Sequence, residues 1–190
     1  MEDRCREDSG RFRLAEAMKR CMVRHGLEDI TIKEITAEAG VSRQTFYRHF
    51  LDKYDLVNWY FDRLLGESFR EMGFGGTVYE GLVRKFHFIQ AERIFFRNAF
   101  GSKQQNNLKD HDFRRIFVFY QDLYRKKTGG ALAGEALALL EMYCQASIYM
   151  TVKWVECDRG HTTPEQLAEL MLKAMPPALI DRFTACGLLR

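Results

Sequence analysis

The run 40-GVSRQTFYRHF-50 crowds two arginines and a histidine around three aromatic residues. A buried helix has no use for Arg43, Arg48 and His49, and a solvated one has no use for Phe46, Tyr47 and Phe50, so the segment must serve two faces. Ser42 is a strong N-cap, which starts a short helix at Arg43 and sets Phe46 and Phe50 four residues apart on its inner side. Arg43, Gln44 and Thr45 then form its leading edge, and Tyr47, Arg48 and His49 lie along its flanks.

Upstream, 31-TIKE-34 has the spacing of a capping box, with Thr31 bonding the turn that follows and Glu34 reaching back. Ile32, Ile35 and Ala39 face one way, and Gly40 can take the left-handed conformation that ends this helix after about two turns. Two short helices meeting at a glycine-containing turn are how a helix-turn-helix reads in sequence. Before them, Leu14, Ala17, Met18, Cys21 and Met22 make one face of a helix from Arg11 to Arg24, closed by His25-Gly26.

Downstream of Leu51-Asp52-Lys53 a longer amphipathic helix carries Leu56, Trp59 or Tyr60, Leu64 and Phe69 inward until 73-GFGG-76 breaks it. Val78 to Asn98 reads as one long helix, 101-GSKQQNNLKD-110 as a turn, and 111 or 112 to Lys126 as another helix ended by 128-TGG-130. Residues 131–158 are the longest helical pattern and apolar almost all round, which predicts burial on several sides. After the loop 159-RGHTTPEQ-166, with Thr163 as cap and Pro164 in the first turn, a last helix runs to Pro176-Pro177. No strand pattern is persuasive, so the expected fold is all-α.

The leading edge of the short helix carries the chemistry that reads DNA. Arginine can pair guanine O6 and N7, glutamine can pair adenine N6 and N7, and a threonine methyl can meet a thymine methyl, so Arg43, Gln44 and Thr45 are the expected base contacts. Tyr47, His49 and Lys53 are long enough to bond phosphates, and the N-termini of the second and fourth helices are expected to offer N–H groups to the same backbone. Thr31, Ser42 and Arg48 complete the expected phosphate contacts.

The run 31-TIKEITAEAGVSRQTFYRHFLDKYDLV-57 resembles the DNA-binding segment of the TetR (tetracycline-repressor) family of bacterial transcription regulators. The match lies on Thr31, Ile35, Ala39, Gly40, Val41, Ser42, Thr45, Tyr47, His49, Phe50, Lys53 and Leu56. Thr36 stands where alanine is common and Gln44 where glycine is frequent, so the operator cannot be carried over from other members. The longer form SRQTFYRHFLDKYDLVNW is similar to a subgroup that includes activators of dihydroxyacetone-kinase operons, in which a partner protein can replace a free small ligand.

That resemblance implies an N-terminal three-helix helix-turn-helix module, here 1–58, and a C-terminal helical effector-binding and dimerisation domain, here 59–190, about nine helices in all. It implies a homodimer on a palindromic double-stranded operator, with no cofactor, and a small-molecule or protein effector. Phe86, Phe95, Phe96, Phe113, Phe117, Tyr120 and Tyr143 are the expected pocket aromatics. The last two helices are the expected dimer face, through Leu140, Tyr143, Ser147 and Met150, then Trp154, Leu167, Leu170 and Met171.

The rest of the composition removes other classes. Acids equal bases over residues 1–70, so a mild net charge of +3 cannot itself argue for nucleic acid. Apolar runs such as 136-ALALLEMY-143 stop well short of the roughly 18 residues of a membrane span. The start MEDRCREDSGR has no apolar core of a secretory signal, and a cytoplasmic protein is expected. The five cysteines contain no C-x-x-C pair and read as reduced thiols. The 110-DHD-112 triplet is weak as a metal site and simpler as a helix cap, and neither H-E-x-x-H nor G-x-S-x-G occurs, so no enzyme is expected. The competing readings are a DNA-free or partner-controlled adaptor and a helical metal-dependent hydrolase.

Overall fold

The structure is a computed structural model that describes residues 2–70, 72, 76–103, 107–157 and 161–189, with the side chains of residues 2–8 outside the description. Residues 73–75 of the glycine-rich break, 104–106 of the polar turn, 158–160 of the last loop and the side chain of Cys5 thus lie outside the described residues. Ten helices are present among those described: α1 (Glu2–Arg24), α2 (Ile32–Ala39), α3 (Arg43–His49), α4 (Lys53–Phe69), α5 (Val78–Ala91), α6 (Arg93–Gly101), α7 (Leu108–Thr128), α8 (Gly134–Cys157), α9 (Pro164–Lys173) and α10 (Pro177–Ala185). The fold is all-α, and the described residues add only an isolated bridge between Met72 and Gly76.

The chain forms two compact units, one of residues 1–63 with 92–108 and one of residues 64–91 with 109–190. In the first, Leu14, Ala17, Met18 and Cys21 of α1 are buried, as their spacing requires. Glu38 on α2 accepts from Arg20 at 2.6 Å and Arg24 at 3.0 Å, which ties α2 to α1 and holds its carboxyl below the usual range. Helix α6 belongs to this unit: Phe95 meets Tyr60 edge-on at 5.1 Å and Phe96 meets Phe61 at 6.1 Å.

The segment Val78 to Asn98 is therefore not one helix. It breaks at Glu92, whose backbone (φ −109°, ψ 31°) leaves the helical region and whose carboxylate accepts from Lys19 at 2.6 Å and from the Tyr60 hydroxyl at 3.0 Å. These bonds reward a local departure from helix that periodicity alone does not reveal.

In the second unit, a capping box of Thr77 and Glu80 starts α5, and one of Thr163 and Gln166 starts α9. Tyr120 of α7 stacks on Phe183 of α10 at 5.7 Å, and Phe86 of α5 meets Trp154 of α8 at 5.8 Å. Pro176-Pro177 does end α9, but Pro177 also opens α10, because a proline lacking its N–H and fixed near φ −65° suits the first turn of a helix. Lys85 donates to both carboxylate oxygens of Asp112 at 2.9 Å, and both residues are buried. Among the described residues no helix is long and apolar enough to cross a membrane.

Candidate nucleic-acid interface

The two short helices are held by their caps. Glu34 N–H donates to Thr31 Oγ1 at 3.2 Å, and the Thr31 N–H and hydroxyl both donate to Glu34 Oε2, at 2.7 and 2.8 Å, which holds the Glu34 carboxyl below its usual range. Gly40 turns the chain at φ 63°, ψ 40°, with its own N–H on Ala37 O and that of Val41 on Thr36 O. Ser42 Oγ then accepts from Thr45 N–H at 3.1 Å to start α3. A left-handed residue between two capped helices fixes their crossing without a long loop.

Helix α3 divides as its sequence requires. Phe46 and Phe50 are buried, their rings 5.8 Å apart, and Phe50 also meets Trp59 of α4 at 5.6 Å. Arg43, Gln44, Tyr47 and Arg48 are exposed and Thr45 is half-buried beside the Ser42 hydroxyl, 3.0 Å away. The Arg43 and Gln44 side chains thus lie together in solvent at the first turn of the helix.

The expected phosphate contacts have more varied surroundings. Tyr47 and Arg48 are exposed, and Thr31 and Ser42 are exposed with their hydroxyls engaged in capping. His49 is half-buried against α1, where a Cβ added to Gly10 would come within 3.0 Å of its Nε2. Lys53 donates to the carbonyls of Glu28 at 2.8 Å and Ile30 at 2.9 Å, which leaves one ammonium hydrogen for another acceptor. Burial pulls its ammonium below the usual range, against the opposing pull of Glu28. The first turn of α4 is less open than its sequence suggests, because Asp52 Oδ1 takes the N–H groups of Tyr54 and Asp55 at 2.8 Å. A side chain one residue before the helix has occupied the donors expected to face phosphate.

The aromatic residues expected around an effector divide between the two units. Phe86, Tyr120 and Tyr143 line one enclosed cavity with Phe69, Lys85 and Thr151, but its volume is only about 20 Å³. Burial pushes the Tyr120 and Tyr143 phenols upward, so both remain neutral. Phe113 and Phe117 stack on each other at 5.5 Å on α7 and are half-buried. Phe95 and Phe96 are core residues of the first unit.

On the last helices, Leu140, Tyr143, Trp154, Leu167 and Met171 are buried within the single chain, while Ser147 and Met150 are half-buried and Leu170 is exposed. The outer apolar surface of α8 is carried instead by Met142 and Tyr149, seven residues apart and each 68% exposed. Beside it, Met150, Trp154, Leu167 and Leu170 line a hollow of about 280 Å³. A helix apolar almost all round gave no sequence signal for choosing its outer face. In the 110-DHD-112 triplet, Asp112 faces Lys85, and no group of three metal-ligating side chains occurs among the described residues.

Comparison with known proteins bears on this geometry. Residues 14–58 match the model of the bacterial regulatory proteins of the tetR family, and residues 76–176 match that of a transcriptional regulator C-terminal region. An uncharacterized HTH-type transcriptional regulator of Mycobacterium tuberculosis is 32% identical over 80 residues, 42% of this chain and 42% of its own length. The dhaKLM operon transcriptional activator DhaS of Lactococcus lactis is 26% identical over 109 residues, 55% of this chain and 52% of its own. The chain thus matches about half the length of these curated relatives.

Among solved structures, a dihydroxyacetone kinase operon activator, DhaS, aligns with a TM-score of 0.60 at 16% identity, over 93% of this chain and 97% of that one. NalD, the secondary repressor of the MexAB-OprM multidrug efflux pump in Pseudomonas aeruginosa, aligns with a TM-score of 0.61 at 16% identity, over 89% and 94%. At such identities the likeness is one of fold. The matched families are transcription regulators rather than enzymes, and with a capped helix-turn-helix between Thr31 and Phe50 and family models matched across both halves of its length, the chain belongs to the TetR family of bacterial transcriptional regulators.

Proposed function

We propose that the protein is a cytoplasmic homodimer that binds a roughly palindromic DNA operator and changes its affinity when an effector occupies the C-terminal helices. Residues 1–58 act as the DNA-binding domain and 59–190 as the effector-binding and dimerisation domain. The observation that carries this reading is the division of α3, with Phe46 and Phe50 inside and Arg43 and Gln44 exposed on its first turn. Arg43, Gln44 and Thr45 read base edges, while Thr31, Ser42, Tyr47, Arg48, His49 and Lys53 hold the phosphates and fix the register.

A second copy docks on the outer surface of α8 and α9, where Met142, Tyr149 and Leu170 leave apolar area in water beside the α8–α9 hollow. Two recognition helices then lie about 34–36 Å apart, one turn of duplex DNA. An effector need only bind one arrangement of the dimer better than the other to shift DNA affinity. Selection from randomised duplex DNA by the purified protein tests the reading: a two-fold symmetric site is expected, and enrichment of an asymmetric site, or of none, contradicts it.

A further inference from the structure

Between the end of α4 and the outer face of α7, the second unit holds an open groove of about 350 Å³. Its floor is apolar, formed by Leu65 and Phe69 on α4 and by Val118, Phe119 and Leu123 on α7, with the Phe69 and Phe119 rings 4.8 Å apart. Val118, one of the lining residues, is 51% exposed, an apolar side chain left in water. Three cationic side chains border this floor: Arg70, Arg115 and Lys126. Asp122 is the single acid among the described lining residues, and it lies 3.3 Å from Arg125, which does not line the groove. An apolar body and an anionic head are what such a surface complements.

Two further observations separate the groove from incidental surface. Gly66 stands inside α4 on the groove wall, where glycine weakens a helix relative to alanine. Neither a positive φ nor a close neighbour requires it, since an added Cβ would meet nothing within 4 Å. What its missing side chain provides is room in the groove. In addition, Phe69 lines both this groove and the enclosed cavity beside Lys85, so one ring separates the open space from the closed one.

We propose that the α4–α7 groove binds an amphipathic organic carboxylate, the head group on Arg70, Arg115 and Lys126 and the apolar body along Phe69, Val118 and Phe119. Arginine forks match the two oxygens of a carboxylate, and the apolar floor rejects a small, fully hydrated anion. This ligand is the effector of the proposed function, on which the regulatory consequence rests and the binding itself does not. The cavity beside Lys85 holds about one water-sized volume, too small for such a molecule.

The experiment is calorimetric titration of the full chain with decanoate, decanol and decyltrimethylammonium. Decanoate is expected to bind, decanol about tenfold more weakly for each charge-assisted contact it lacks, and the cation not measurably. Gly66→Trp fills the groove from a position with open space and is expected to abolish decanoate binding while the melting temperature holds. Arg70→Gln with Arg115→Gln is expected to bring decanoate to within about tenfold of decanol, since the Lys126 contact remains. No decanoate binding, equal affinity for decanoate and decanol, or full affinity in Gly66→Trp overturns the site. Decanoate binding that leaves the affinity for the selected operator unchanged supports the site and overturns the effector reading alone.

Discussion

The ammonium of Lys53, at the first position of α4, donates to the carbonyl of Glu28 at 2.8 Å, and the carboxylate of the same Glu28 accepts from Tyr54 at 2.7 Å and from Ser102 at 2.6 Å. One residue after α1 therefore ties together the start of α4 and the end of α6. Lys53 has a structural role besides the proposed phosphate contact, and the two separate experimentally.

Lys53→Ala is expected to lower specific and non-specific DNA binding alike and to reduce the salt slope by about one unit. It also strips two carbonyls of their donor, so a loss of about 1–2 kcal/mol in urea unfolding accompanies it. An unchanged salt slope with the stability loss intact assigns Lys53 to the fold alone.

The Lys85–Asp112 pair predicts an asymmetry between single and double variants. Asp112→Ala leaves a buried ammonium without its carboxylate and is expected to cost about 3–5 kcal/mol, whereas the double variant Lys85→Met, Asp112→Leu recovers most of that. Denaturant unfolding of the three proteins measures it. A double variant as unstable as Asp112→Ala would show that the pair, beyond mere charge balance, is required for packing.

The dimer reading predicts that Met142→Glu with Tyr149→Glu yields a monomer with unchanged helical circular dichroism and much weakened operator binding. Both side chains are exposed in the single chain, so the fold does not depend on them. Sedimentation velocity decides, and a dimer that survives both charges moves the interface elsewhere.

Thiol chemistry follows the burial pattern. Burial pushes the Cys144 thiol up to about 12 and raises that of Cys21, whereas Cys157 is exposed at the end of α8. Alkylation at pH 8 read peptide by peptide is expected to modify Cys157 and spare Cys144 and Cys21 until denaturant is added. Rapid native modification of Cys144 would contradict the packing of α8.

Much of the first unit is legible in the sequence because its determinants are local. The Thr31–Glu34 box, Gly40, the Ser42 cap and the Phe46–Phe50 spacing each act within four residues, and each occurs in the structure as its pattern requires. What escaped is set by residues distant in sequence. The break at Glu92 depends on Lys19 and Tyr60, and the partner of Asp112 is Lys85, 27 positions away. The outer face of α8 could not be chosen because apolar residues surround it, whereas Arg115, Phe119, Asp122 and Lys126 repeat at helical spacing along α7 and were open to reading as a second, outward stripe.

The most direct measurement is a base-by-base substitution scan of the selected operator, with wild-type protein and Arg43→Ala side by side. Arg43 is expected to account for one base step in each half-site, so the variant loses about 1–3 kcal/mol on the preferred base and becomes indifferent at that step while keeping its preferences elsewhere. A uniform loss across all positions, or no loss at any, would contradict the assignment of the α3 leading edge as the reader of the operator.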